Sequence, residues 1–331
     1  MRTLTLFRVV LFHTTAAALN TAADAADLAV PQCLHVFGLK LPCTGSTWFN
    51  GVFHKQMTGF SVASELMQGG EYALPIDVKM ARMTDRLTDA CTKPGHDIHG
   101  FFQNPVVLRG ADWRALGNLS SGVVTWRRTN VVKVAVSALM KNANAKNHTG
   151  CGHNLPISAT AAQRASCRTA FVLDARDLGE KIHHVACQNR VLGDAARATG
   201  RRVLALHYEA LQADRDAELR RFADFFGLPP ARVAPPPASD GLLKKLPEGL
   251  ADVIPNYGEL RAFLSDDLAA EARASGCDLG AMFAATGPEL FLGCNASALC
   301  GALGARFFPP RKGAKGWAVA PGEEPWPPAY A

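Results

Sequence analysis

Cys33-Leu34-His35-Val36-Phe37-Gly38-Leu39-Lys40-Leu41-Pro42-Cys43-Thr44-Gly45-Ser46-Thr47-Trp48 is the stretch that decides how this chain is read. Cys33 to Leu41 is short, apolar and closed by a proline, the pattern of a parallel strand buried on both faces. From Thr47 to about Met57 the periodicity becomes helical, with Trp48, Val52 and Phe53 on one face. A strand, a glycine-containing loop and a helix together turn backbone N–H groups toward an anion, and the helix N-terminus adds roughly half a positive charge. Gly45 admits a close backbone approach, while Thr44, Ser46 and Thr47 add hydroxyl and amide donors. A nucleoside-triphosphate loop would need GxxxxGK[ST], and no Lys-Ser/Thr pair follows Gly45. ATP or GTP hydrolysis is therefore disfavoured, and a nucleotide kinase is the weaker alternative.

Working outward, strands alternate with helices. A second strand is expected near Phe60–Ala63, then a helix around Pro75–Ala90 carrying Val78, Met80, Met83 and Leu87. Gly122–Trp126 reads as another buried strand, followed by a helix from Val131 to about Asn142. Lys146–Pro156 reads as a loop, and a long helix over Asp177–Thr199 is stopped by Gly200. Arg202–Tyr208 is the next strand. Asp214–Phe226 is an amphipathic helix with Leu219, Phe222 and Phe226 on one face and Gly227 as its stop. Pro229–Asp240 reads as a connector, and Leu243 to about Ala274 as mixed helix and loop. Such alternation predicts an α/β fold, a three-layer P-loop-like domain whose central parallel sheet is flanked by helices.

The 331 residues suit one large α/β domain with extensions. Residues 1–27 read as a leader, a signal peptide or signal anchor, with Arg2 and Arg8 before a short apolar run and an Ala-rich stretch. Residues 28–300 form the domain and 301–331 a Pro/Gly-rich, poorly ordered tail. The net charge of +6 favours anionic partners but is too small to argue for nucleic acid. The 9 cysteines lack zinc spacing, so no metal is expected. They read either as buried small hydrophobes or as disulfides, with Cys151/Cys167 and Cys294/Cys300 as near-neighbour pairs. Sequons begin at Asn118, Asn147 and Asn295. Leader, cysteines and sequons together point to the secretory pathway, the Golgi lumen or secretion. A membrane contact is expected only through the leader.

Pro42-Cys43-Thr44-Gly45-Ser46-Thr47-Trp48 resembles the 5′-phosphosulfate loop of the sulfotransferase superfamily, Pro-Lys/Arg-Ser/Thr-Gly-Ser/Thr-Ser/Thr-Trp/Phe. A second stretch, Val123-Val124-Thr125-Trp126-Arg127-Arg128-Thr129-Asn130 through Ser137, is similar to that family's 3′-phosphate element in its carbohydrate-type and bacterial or algal-type members. Arg128 with Ser137 is the expected phosphate pair there, and Arg127 the fallback. His207-Tyr208-Glu209-Ala210-Leu211 resembles the Tyr-Glu-x-Leu signature, with Tyr208 beside the adenine. Ile254-Pro255-Asn256-Tyr257-Gly258-Glu259-Leu260 is a weaker similarity. The resemblance runs from about Cys33 to Leu264.

What the resemblance implies is sulfonate transfer from 3′-phosphoadenosine 5′-phosphosulfate to a hydroxyl-bearing acceptor, a carbohydrate above all, without a metal. Cys43, Thr44, Gly45, Ser46, Thr47, Trp48, Arg128, Ser137 and Tyr208 would hold the donor. Glu65, after the first helix and second strand, would be the base, with His96 and His99 as lower-ranked alternatives. Cys43 departs from the pattern, since the family places a cation there and a thiol is none. Lys40, on the strand before Pro42, is the residue that could reach back in its place. A protein of this fold that binds the donor with weakened catalysis is the alternative reading.

Overall fold

The computed structural model describes residues 33–89, 91, 96–146, 172–235, 249–252 and 254–307. Five parallel strands form one sheet: β1 (Leu34–Lys40), β2 (Phe60–Ala63), β3 (Ile98–Gln103), β4 (Gly122–Arg127) and β5 (Val203–His207), in the order β2-β3-β1-β4-β5. The helices are α1 (Ser46–Gln56), α2 (Ile76–Thr88), α3 (Trp113–Leu119), α4 (Val131–Lys146), α5 (Ala175–Ala198), α6 (Tyr208–Ala213) and α7 (Arg215–Phe226). They continue with α8 (Tyr257–Ala262), α9 (Ala269–Ala274), α10 (Leu279–Ala284) and α11 (Ala296–Phe307). The mixed α/β architecture with an all-parallel sheet is the one the alternating pattern predicts.

Strand alternation sorts the core into two layers. Phe37, Leu39, Phe101 and Val123 face one way and pack with Met83, Leu87, Leu116 and Leu192 from α2, α3 and α5. Phe102 and Trp126 face the other way, meeting Phe49 of α1 at ring distances of 5.1 and 4.2 Å. Phe53, Phe60 and Phe222 extend that aromatic layer toward α7. Gly38 makes the second layer possible: a Cβ there would lie 2.3 Å from the Phe102 ring. A third group of apolar residues joins α4 and α5 to α8–α11.

Several expectations need correction. Ile98–Gln103 is a strand that its composition concealed, because His99, Gly100 and Gln103 interrupt the apolar run although every residue of it is buried. In α2 the buried side chains are Lys79, Met83 and Leu87, whereas Val78 is 36% exposed. Lys79 tolerates burial because its ammonium donates to the Tyr72 and Val107 carbonyls at 2.6 and 3.0 Å. The domain-to-tail boundary at 300/301 falls inside α11, which continues to Phe307. Cys294 and Cys300 do not pair. Cys294 is joined to Cys277 and Cys300 to Cys187, while Cys33 is joined to Cys91. The leader, Cys151, Cys167, Asn147 and residues 308–331 lie outside the described residues. Among the described residues no helix is long and apolar enough to cross a membrane.

The strand order fixes where a ligand can sit. After β1 the chain leaves toward β2, and after β4 it leaves toward β5, on the opposite side. The loops after β1 and β4 therefore diverge above adjacent strands, the crevice in which open parallel sheets bind ligands. Lys40 pairs with Trp126 at the end of that register, which sets Pro42–Gly45 beside Arg127–Asn130.

Candidate functional site

The loop after β1 is held in a fixed shape by its neighbours. Cys43 at φ 61° and Gly45 at φ 77° both occupy the left-handed region. For Cys43 such a conformation costs about 1–3 kcal/mol and has to be imposed by the surroundings. Two bonds impose it: the Trp126 indole donates to the Thr44 carbonyl at 3.0 Å, and the Thr44 hydroxyl donates to the Leu41 carbonyl at 2.7 Å. Thr44 thus shapes the loop from inside and does not offer its hydroxyl outward, contrary to expectation. Gly45 N-caps α1 with no side-chain cap, so the first amides of that helix keep their donor capacity. A Cβ on Gly45 would stand 2.6 Å from the Tyr208 ring, so the tyrosine from the β5–α6 junction packs directly on the loop. Trp48, half-buried, meets Tyr208 edge-on at 5.3 Å, and Arg215 lies over its ring at 6.0 Å. Thr47 is exposed.

Lys40 supplies this loop with a cation from the strand. Its side chain is only 6% exposed, and its ammonium lies 2.8 Å from the Ser46 hydroxyl and 2.9 Å from a Glu65 carboxylate oxygen. Burial pulls the Lys40 pKa down from its ordinary value, while the Glu65 carboxylate pulls it back up. Glu65 follows β2 on a segment fastened to the same edge of the sheet, since the Met67 amide donates to Gln103 at the end of β3 at 3.0 Å. Its carboxylate also bears on Tyr72. Burial first and then Glu65 push the phenol up to about 12. Two residues far apart in the chain, Lys40 and Glu65, are thereby brought to Ser46.

His99 is at the wrong end of the sheet. It pairs with His35 near the beginning of β1, five positions before Lys40 and so roughly 16 Å away along the strand. His96 precedes the same strand. Burial lowers the His99 pKa, but nothing of the loop after β1 lies near it.

The loop after β4 has a different interior. Glu209, 3% exposed, accepts from the Thr129 and Asn130 amides at 2.9 and 3.3 Å. Asn130 caps α4 by accepting from the Lys133 amide at 2.9 Å. Arg128 has its Nε 3.4 Å from Glu209, near enough to pair by charge though not aligned for a hydrogen bond. Its guanidinium also lies 4.5 Å over the Tyr208 ring. Arg128 and Tyr208 are thus brought together. Ser137 is half-buried seven positions along α4, about 10 Å from its start by helical rise, and is not on the wall of the cavity that Arg128 helps to line. Glu209 stood in the quoted Tyr208-Glu209 signature, but reading Tyr208 alone left its role unseen.

His183, Cys187 and Cys300 lie within 4.8 Å of one another, but both sulfurs belong to the same disulfide and are not free to bind a metal. Of the sequons, Asn118 is exposed on α3, and Asn295 is exposed while its carbonyl oxygen caps α11.

No family model matches this chain, and no curated protein matches it. Among solved structures, mouse sulfotransferase SULT7A1 complexed with PAP aligns with a TM-score of 0.33 and 12% identity, over 59% of this chain and 60% of that one.

Proposed function

We propose that this protein transfers a sulfonate group from 3′-phosphoadenosine 5′-phosphosulfate to a hydroxyl of a carbohydrate acceptor. The observation that carries the reading is the convergence of Lys40, Ser46 and Glu65 on the loop Pro42–Trp48, at the crevice between β1 and β4. The amides at the start of α1 and the Ser46 hydroxyl face the phosphosulfate. The acceptor hydroxyl attacks sulfur while the bond between sulfur and the 5′-phosphate oxygen breaks. Glu65 takes the hydroxyl proton, and Lys40 offsets the charge that grows on the departing oxygen. Its ion pair with Glu65 holds both groups at the loop until the donor's charge draws the ammonium toward itself. Trp48 and Tyr208 offer aromatic faces to the adenine, and Arg128 the neighbouring cation. The disulfides support an oxidising compartment, so the Golgi lumen or the exterior is the proposed location.

Cys43 favours a second reading, a donor-binding protein with weakened turnover, because the loop itself bears no cation. Sulfate transfer from labelled donor to a panel of glycans separates the two. In the first reading wild type transfers label and Glu65→Gln loses about 10²–10⁴-fold in rate, with binding of adenosine 3′,5′-bisphosphate unchanged. Binding without transfer, together with a large gain on Cys43→Lys, supports the second. Transfer by Glu65→Gln at the wild-type rate removes Glu65 as the base.

A further inference from the structure

α5 and α11 run antiparallel, and three layers of contact join them. Gly179 meets Phe307, His183 meets Gly304, and Cys187 is bonded to Cys300. Residues 179, 183 and 187 follow one another at one-turn spacing and share a face of α5, as 300, 304 and 307 share a face of α11. A Cβ on Gly179 would lie 2.3 Å from the Phe307 ring, and one on Gly304 would lie 3.2 Å from the imidazole Nε2 of His183. The two glycines therefore let the helices close on each other. Leu299 and Leu303 of α11 are buried in the same apolar group as Cys187 and Cys300, so packing as well as the disulfide holds α11 in place.

His183 turns its Nε2 onto the middle of this joint, 3.3 Å from the Cys187 sulfur. That nitrogen and the sulfurs of Cys187 and Cys300 all lie within 4.8 Å of one another. A tetrahedral Zn2+, with bonds of about 2.3 Å to sulfur and about 2.0–2.1 Å to nitrogen, sets its ligand atoms about 3.5–3.8 Å apart. The closed disulfide denies its sulfurs to a metal, but the thiol form does not. Thiols are present in the newly made chain before the bond closes. They also arise when a dithiol reduces the bond: the dithiol closes to its own disulfide, and its two electrons and two protons go to the two sulfurs. Two thiols and an imidazole are a donor set for Zn2+ and not for Mg2+ or Ca2+. Helices packed this closely hold such a set ready.

We infer that His183, Cys187 and Cys300 form a Zn2+ site in the thiol form of this protein, so that a metal closes the joint between α5 and α11 when a disulfide does not. Zn2+ displaces the two thiol protons to solvent, takes both thiolates and the His183 Nε2, and leaves its fourth position to water. Cysteine spacing conceals the set, because Cys187 and Cys300 are 113 residues apart. The site uses none of the residues assigned to the donor or to transfer and does not depend on the proposed reaction. The test takes Co2+ as a spectroscopic stand-in for Zn2+. The full chain is reduced anaerobically with a water-soluble phosphine, freed of it, and titrated with cobalt chloride. The expected result is one Co2+ per chain, with a thiolate-to-cobalt charge-transfer band and the visible bands of tetrahedral cobalt, all lost when Zn2+ is added. His183→Gln keeps both thiols and is expected to bind about tenfold or more weakly. Cys300→Ser is expected to lose the tetrahedral bands. The double variant Cys33→Ser/Cys91→Ser removes a different pair of thiols and is expected to bind as wild type does. Where the reduced chain loses its fold, Zn2+ is expected to restore it in wild type and not in His183→Gln, read by circular dichroism. Absence of the cobalt bands in reduced wild type, equal affinity in His183→Gln, or loss of binding in Cys33→Ser/Cys91→Ser would each overturn the inference.

Discussion

The turns after β1 and β4 share one geometry, strand into loop into helix at adjacent carboxyl ends, yet their positive ends are satisfied differently. At β4 the protein supplies its own anion: Glu209 takes the Thr129 and Asn130 amides and the Arg128 charge. At β1 no side chain caps the helix, and Glu65, brought to the loop by Lys40, pairs with that ammonium. A strand–loop–helix turn is thus an anion site only when the fold leaves it unfilled. The sequence pattern is equally suggestive in both places; the buried acid distinguishes them.

Breaking the filled turn is expected to give the largest effect. Glu209→Gln leaves Arg128 short of its counter-charge in a buried setting and is expected to cost about 3–5 kcal/mol, measured from urea unfolding. Glu65→Gln is expected to cost less, about 1–2 kcal/mol, because solvent reaches that carboxylate and Lys40 keeps Ser46. Equal losses would show the two turns to be alike.

Gly45→Ala tests the open turn. Its positive φ and the Tyr208 ring at 2.6 Å from the added Cβ predict a loss of about 1–3 kcal/mol, with Trp48 fluorescence altered as Tyr208 is pushed aside. An unchanged melting temperature and spectrum would mean that Tyr208 does not pack on the loop.

Much of the open turn was legible in the sequence. Its strand and its helix follow from local pattern, because apolar runs and glycines act locally, whereas Lys40 was singled out only against the resembled family's missing cation. Glu65 was named only through the family resemblance, and its distance from Lys40 was not legible in the sequence. Glu209 was hidden because a buried acid has no periodicity of its own, and only the fold supplies the amides that make its burial tolerable. The same holds for β3, where Gln103 is buried and holds the Met67 amide, and for the Cys187–Cys300 disulfide, whose partners the packing of α5 against α11 selects. Cys294 and Cys300 are close in sequence, but α11 begins between them and carries Cys300 toward α5.

A smaller effect should appear with pH. His207, at the end of β5 next to the filled turn, is neutral in the native state, with a pKa of about 4 against 6.5 for the unfolded chain. Below 6.5 the unfolded chain takes up a proton that the native state refuses, so stability is full above that value and declines as pH falls toward 4. His184 contributes in the same direction. Thermal melts between pH 7.5 and pH 5 are expected to show a falling melting temperature, with a shallower slope in His207→Gln. A melting temperature that rises on acidification would contradict a buried neutral His207.

The most direct test of the open turn is calorimetric titration of adenosine 3′,5′-bisphosphate into wild type and Ser46→Ala. One site is expected in wild type, with an affinity lower by about tenfold once the hydroxyl is removed. No binding by wild type, or equal affinity in both proteins, would contradict it.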